Sequence, residues 1–274
     1  DVTLRHLLSH SAGFPTMNLY GYREGEPIPT LLQILDGVSP STTPPIRVQA
    51  VPGAGYTYAN GGFIVLQQLL TDATGKPFAD LMQEIVLDPI GMDSSTFEQP
   101  LRGTLRDEAA IGHGIDGTPM EEKWRVFPEQ AAGGLWTTPS DLARFAIEIM
   151  LSKRGQSHGI LSQDIAAQML TPQTGGAGLG FGLGDDGGDR VYFMHEGANE
   201  GFKCVLVGYY ERGQGVVIMT NSENGDALYE EILKSVSIEY GWVEEGIGIQ
   251  ETFIIVGAIV IAICLFLLWR IRRT

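Results

Sequence analysis

At 274 residues the chain has ample material for a hydrophobic core, enough for one large domain or two small ones. With 43% hydrophobic and 19% charged residues its composition is that of an ordinary globular protein, which argues against a stapled mini-protein and against a disordered chain. Lys and Arg number 18 against 33 acidic residues, a formal net charge of −15, so the body repels phosphate backbones: nucleic acid is a poor partner and a neutral or cationic small substrate fits better, although the same charge equally serves solubility.

The first element is helical, Thr3-Leu4-Arg5-His6-Leu7-Leu8, and it opens without a Met or a signal peptide before it; the expectation is that the sequence begins partway through a longer protein. Residues 1–60 are loop-rich, with a proline-heavy stretch from Pro40 to Pro52. Phe63 to Thr74 predicts a helix closed by Gly75, and a second follows with Pro77 in its first turn, Phe78 to Leu87 as its apolar part and Pro89-Ile90-Gly91-Met92 as its stop. Residues 99–130 are polar and irregular. Thr138-Pro139-Ser140-Asp141 starts the next helix, with Leu142, Phe145, Ala146 and Ile149 at helical spacing, and Ser162 caps a short one through Leu170.

Gly175 to Gly188 reads as a glycine-rich connection. Arg190–His195, Lys203–Tyr210 and Gly215–Thr220 are β-branched or aromatic runs separated by short turns, the pattern of a three-stranded antiparallel meander. Asp226 to Tyr240 returns to helical periodicity, with Leu228, Ile232, Val236 and Tyr240 on the side expected to cover one face of the sheet.

From Thr252 to Trp269 the chain carries 18 uncharged residues, TFIIVGAIVIAICLFLLW, long enough to span a hydrocarbon core of roughly 30 Å. Glu244, Glu245 and Glu251 precede this run and Arg270, Arg272 and Arg273 follow it, so the positive-inside rule places the C-terminus in the cytoplasm and the body outside. The expected organisation is a domain over residues 1–243, a transmembrane helix over 252–269 and a cytoplasmic tail over 270–274. One of the two cysteines, Cys264, lies inside the apolar run, so a bridge to Cys204 is implausible.

Tyr58-Ala59-Asn60 sits in a glycine-bounded loop, Pro52 to Phe63, which can hold two polar side chains at a helix mouth. A tyrosine acts as a general base only if cations lower its pKa from about 10, and an asparagine can orient a carbonyl or amide; alone, the triplet fits a packed turn tyrosine better. His195-Glu196-Gly197-Ala198 ends one predicted strand and precedes Asn199-Glu200-Gly201-Phe202-Lys203, where a lone histidine is more often a surface residue. Gly155-Gln156-Ser157-His158-Gly159 matches Gly-x-Ser-x-Gly, but a helix rather than a strand leads into it, so it reads as a chance match. His6 and His10 read as supports of the opening helix and turn, His113 falls in the irregular region, and His158 reads as a surface residue. Trp136 can line a cleft or pack. Histidine and carboxylate spacings give no metal-site pattern, and no cofactor is implied.

Taken together, five stretches in order resemble the serine β-lactamase and penicillin-binding protein superfamily, in its class C β-lactamase-like branch: LRHLLSHSAGF (4–14), PGAGYTYAN (52–60), PIGMDSSTF (89–97), AAGGLWTTPSDLARF (131–145) and HEGANEGF (195–202). The resemblance covers residues 1 to about 240. It implies an α/β fold of the α+β type, an antiparallel sheet flanked by helices with a helical region and the site between them. It makes Tyr58 the proton-transfer residue, Asn60 the binder of the substrate amide, His195 the opening residue of the third motif, Gly197 the position that lets the acyl group approach, and the Ala198 N–H half of an oxyanion hole. It also implies that Tyr58, Asn60 and His195 converge on one cleft. The chain departs from the family at its first motif, since no serine is followed three residues later by lysine. The expectation is therefore an esterase, D-aminoacyl peptidase, carboxypeptidase or β-lactamase working through an acyl-enzyme on a small peptide, amide or ester, with this chain inactive by itself. The rival is a non-catalytic, membrane-tethered binding protein for cell-wall peptides or similar ligands.

Overall fold

The computed structural model of the chain describes residues 1–157 and 159–242. The opening helix spans Leu4–Leu8 (α1) and begins where its free main-chain donors find partners: Thr3 Oγ1 accepts the His6 N–H and His6 Nδ1 accepts the Thr3 N–H, both at 3.3 Å. Within the stretch expected to be loop, Thr30 and Gln33 make a second box of the same kind and start α2, Leu31–Asp36, which Gly37 closes at φ +63°.

The next helix, α3, spans Asn60–Thr74 and so starts three residues earlier than its sequence suggests. Gly61 and Gly62 read as loop residues, yet they serve close packing. A Cβ on Gly62 would lie 3.1 Å from the Leu7 carbonyl oxygen, and one on Gly61 3.0 Å from Ile46 Cγ2. α4, Phe78–Met82, continues as a π-helical turn, Gln83–Leu87, and a 3₁₀ turn, Asp88–Ile90, with Pro77 acting as the cap rather than the first helical residue. A short helix, α5 (Gly103–Glu108), interrupts the region expected to be irregular, and α6 (Gln130–Gly133) precedes α7, Pro139–Lys153. The two expected hydroxyl caps form: Thr138 Oγ1 accepts the Asp141 N–H at 3.2 Å, and Ser162 Oγ accepts the Ile165 N–H at 3.3 Å to start α8, Gln163–Met169.

The sheet has four antiparallel strands rather than three, in the order β1 (Gly182–Asp185), β2 (Val191–Asn199), β3 (Phe202–Tyr209), β4 (Gln214–Thr220). The extra strand arises inside the glycine-rich connection. Gly184 faces Tyr192, whose ring leaves no room, since a Cβ there would sit 2.1 Å from Cζ. The glycines of this stretch thus mark steric contact as well as turns. β2 also runs four residues past His195, so the whole His195–Asn199 stretch is strand and only Glu200 and Gly201 form the turn, with Asn199 opposite Phe202.

Two apolar clusters order this part of the chain. In the first, Leu7, Phe14, Ile34, Ile46, Ala59 and Ile64 join the opening turn, α2 and α3. In the second, Ala146, Ile149 and Met150 of α7 meet Phe181, Phe193 and Leu206 and lay that helix against the sheet. Two stretches far apart in sequence are knitted at the buried Asp141, whose Oδ2 accepts from the Ser94 N–H (2.8 Å) and Ser95 Oγ (2.9 Å), while Thr96 and Trp136 exchange main-chain hydrogen bonds at 2.9 Å.

The chain divides into two units, Asp1–Tyr229 and Glu230–Thr274, and α9 (Gly225–Glu239) spans the division. Within the second unit the helix ends in a turn where the Tyr240 N–H donates to the Val236 carbonyl and the Trp242 N–H to that of Ser237. Of the expected apolar row, Leu228 (54%), Ile232 and Tyr240 (58%) are exposed and Val236 is half-buried, whereas Tyr229, Leu233 and Ser237 are buried. A serine in the buried row and apolar residues in the exposed one inverted the periodic signal. Among the described residues no helix is long and apolar enough to cross a membrane; the run 252–269, the tail 270–274, Cys264 and His158 lie outside them.

Gly13 holds the opening turn at φ +79°, and a Cβ there would lie 2.2 Å from the Ala50 carbonyl oxygen, a main-chain atom that cannot swing away. Gly13→Ala is expected to lower the unfolding free energy by about 2–4 kcal/mol in denaturant titration, and a variant as stable as the parent would contradict the packing described.

Candidate active site

The site is built on the turn after α1. His10 adopts φ +53°, unusual for a side chain that is not glycine, and is buried. A run of main-chain hydrogen bonds joins this turn to the stretch 49–57: Thr57 N–H to the His10 carbonyl (2.8 Å), Gly53 N–H to Ser11 (2.7 Å), and Gln49 and Ala50 N–H to Gly13 (2.8 and 3.1 Å). The imidazole adds one more, since its Nδ1 accepts the Ala59 N–H at 3.1 Å and its proton must then sit on Nε2. The ring lies 4.4 Å from that of Tyr58 at a 34° tilt, with Phe63 at 5.4 Å and Tyr56 at 5.8 Å.

Tyr58 is 40% exposed, and its carbonyl accepts from Thr16 Oγ1 at 2.8 Å. Burial of its inner side pushes the phenol pKa up, and no cation among the described residues counters that. The condition for a tyrosine base, a pKa lowered by nearby positive charge, is therefore not met by the described residues. Ala59 is the extended cap of α3 and Asn60 its first residue, with Nδ2 donating to the Met17 carbonyl at 2.9 Å. One amide hydrogen and Oδ1 remain for another partner.

The third motif lies on β2. β1 pairs with Val191–Met194 only, so from His195 onward β3 alone borders the strand in the four-stranded sheet. Asn199 and Phe202 close the two-residue turn, and alternation along the ladder then turns the Glu196 and Ala198 main-chain groups away from β3. The Lys203 carbonyl, opposite Ala198, correspondingly accepts from Thr220 Oγ1 on the β4 side.

His195 Nδ1 lies 2.7 Å from the Glu196 carbonyl oxygen, which can only accept, so Nδ1 carries the proton and Nε2 keeps its lone pair. The residue is open to solvent yet crowded by protein, and desolvation holds its pKa below the ordinary imidazole value. Burial, and after it repulsion from His195, take His10 down to about 4. The two imidazoles are thus within electrostatic reach of one another.

Gly197 has a local reason to be glycine: a Cβ would meet Cys204 Sγ, directly across the strand pair, at 2.5 Å. Burial pushes that thiol up from its ordinary value. Asn199 Nδ2 donates to the Gly133 carbonyl at 3.1 Å and ties the end of β2 to α6. Trp136, half-buried, packs edge-on to Trp124 (5.3 Å) and Phe202 (6.1 Å). Ser157 is no nucleophile elbow. α7 precedes it, its hydroxyl donates to Glu148 Oε1 at 2.5 Å, and it accepts the Gly159 N–H at 2.7 Å.

His10 supports the opening turn as expected, and its imidazole also reaches the Tyr58 loop, which the sequence does not show. It belongs to the Tyr58 loop as much as to its own turn. The signal for it was the run of small residues around it, Ser9, Ser11, Ala12 and Gly13, which lets a histidine be buried in a tight bend. His6 does support the opening helix as expected. A second ionisable group is buried: the Glu129 carboxyl, which precedes α6, is 1% exposed and desolvation raises its pKa to about 7.

A family model described as Beta-lactamase matches residues 1–235. Penicillin-binding protein 4* of Bacillus subtilis (strain 168) is 22% identical over 255 residues, 85% of this chain and 54% of that protein. The D-aminopeptidase of Gluconobacter oxydans (strain 621H) is 28% identical over 107 residues, 38% of this chain and 18% of that enzyme. This chain thus spans about half the length of the first and less of the second. Among solved structures, the penicillin binding protein from Bacillus halodurans superposes with a TM-score of 0.65 at 20% identity, over 86% of this chain and 72% of that one.

His10 and Glu129 pull stability in opposite directions with pH. His10 titrates lower in the fold than its ordinary 6.5, so its contribution is present above 6.5 and lost as pH falls towards 4. Glu129 titrates higher than its ordinary 4.5, so its contribution is present below 4.5 and lost as pH rises through 7. Glu129→Gln removes only the second. Relative to the parent, this variant should gain about 2–3 kcal/mol between pH 4.5 and 7.5 in denaturant melts; a constant difference would show that the carboxyl is not held neutral.

Proposed function

This chain belongs to the β-lactamase family, and we propose that it forms the greater part of a class C-like serine hydrolase domain acting through an acyl-enzyme on small peptides, amides or esters. The observation that carries this reading is the Tyr58-Ala59-Asn60 loop held at the mouth of α3 by His10, with a strand whose Ala198 N–H points away from β3. The nucleophile is not in this sequence, where no serine is followed three residues on by lysine.

The residues present would act around that nucleophile. Tyr58 hands its phenolic proton to the leaving group as the acyl-enzyme forms, and takes one back from the attacking hydroxyl. The return step needs a phenolate, which burial disfavours in this chain, so a cation supplied with the nucleophile would have to lower its pKa. Asn60 holds the substrate amide through the hydrogen and oxygen left over from Met17. The Ala198 N–H stabilises the oxyanion, worth about 3–4 kcal/mol of barrier in comparable sites, and the His195 Nε2 lone pair accepts a hydrogen bond from substrate. A histidine there, where lactamases carry lysine, favours esters and amides over β-lactams. The second reading, a tethered binding protein, draws on the same missing motif and the protonated Tyr58.

An acylating serine-hydrolase probe separates the two. Residues 1–242 alone are expected to stay unlabelled, and labelling at any serine would overturn the assignment. In a product that supplies the Ser-x-x-Lys segment, labelling is expected and Tyr58→Phe should lower kcat by roughly 10²–10⁴-fold without moving the thermal midpoint. Wild-type turnover in that variant, or no labelling, would favour the binder.

The proposal includes attachment to a membrane by the uncharged run 252–269, with the arginine flank inside and the domain outside. Protease added to intact cells should then remove the domain; protection of the domain with loss of the C-terminus would reverse the orientation.

A further inference from the structure

We propose that His10 is a positioning residue for Tyr58, fixing the direction of its phenol towards the reacting atoms. The inference rests on the reading of Tyr58 as the proton-transfer group.

Three separate grips from one residue converge on Tyr58. The His10 carbonyl accepts the N–H of the residue before it, Thr57, at 2.8 Å. The His10 Nδ1 accepts the N–H of the residue after it, Ala59, at 3.1 Å. The imidazole face lies against the tyrosine ring itself at 4.4 Å. Two anchored peptide planes fix the Cα–Cβ direction, and the stacked ring closes one side of the phenol, so that side chain is free to turn only towards solvent.

The backbone of His10 supports the same view. A turn that needed only to bend could take glycine, as Gly13 does three residues later at φ +79°. Instead a histidine is held at φ +53°, at a cost of order 1–2 kcal/mol. Neither tautomer nor charge is left free: a proton on Nδ1 would remove the acceptor that Ala59 uses, and burial together with His195 keeps the ring neutral. Tyr56 and Phe63 enclose the imidazole from other sides, so it cannot rotate away from the Ala59 N–H without leaving an aromatic box.

Asparagine and glycine both tolerate the left-handed backbone, which makes them the informative replacements. His10→Asn can return an acceptor near the Nδ1 position but no ring; His10→Gly returns neither. In the catalytically complete protein His10→Gly is expected to lower kcat roughly 10- to 100-fold with little change in KM, and His10→Asn to recover part of that loss. In a Tyr58→Phe background the same substitutions should cause no further loss, because the hydroxyl they aim is gone. An equal loss in both backgrounds would overturn the proposal and leave His10 a packing residue.

A readout that needs no turnover covers the case in which the protein proves inactive. Ultraviolet difference titration of this chain against its Tyr58→Phe variant reports the Tyr58 phenol alone. It should ionise above the ordinary value in the parent and fall back towards about 10 in His10→Gly, as the released ring turns into water. An unmoved titration would sink the proposal. An inactive parent with a shifted titration would instead remove the proposed function and keep the positioning role. If His10→Gly fails to fold, His10→Asn carries both measurements.

Discussion

The hydrogen bonds between the turn at residues 10–13 and the stretch at 49–59 are the constraint from which the rest of the site follows. They are main-chain bonds, apart from the one made by an imidazole, and so they depend on where the backbone runs more than on which side chains it carries. Gly13 lets the turn approach Ala50, and the ladder delivers Tyr58 to its place and starts α3 immediately after it. Leu7, Ala59 and Ile64 in one apolar cluster then tie the ladder to the helices on either side. Loss of the ladder would leave Tyr58 and Asn60 on an unsupported segment.

A second frame holds the other half of the site. α7 lies on the sheet through Phe193 and Leu206, Asp141 of α7 gathers Ser94 and Ser95, and Asn199 reaches the carbonyl of Gly133. These contacts set β2 in position while leaving its last five residues bordered by β3 alone in the sheet. The catalytic reading thus divides its parts by stiffness: side chains that handle protons stand on a laddered turn, and the oxyanion donor stands on a paired strand.

Much of this was legible in the sequence where a local rule acts alone. Hydroxyl caps at Thr138 and Ser162 reported their helices because capping is decided within one turn of chain. The family was legible from the motifs as a set, since five stretches in order carry more information than any triplet. Glycine misled twice: at 61–62 its cause is a neighbour distant in sequence and at 184 a ring on the paired strand, neither of which periodicity reads. The α9 stripe misled because Ser237 is buried and Leu228 is not, a reversal decided by packing. The reach of His10 to the Tyr58 loop stayed hidden for the same reason, because its partners Thr57 and Ala59 lie almost fifty residues downstream.

The contact between Gly197 and Cys204 carries an evolutionary consequence. Its two positions face one another across β2 and β3, and the sulfur occupies the volume a methyl group would need. A side chain at 197 needs that sulfur to swing to another rotamer or to give way to something smaller, so what position 204 carries sets the cost of any change at 197.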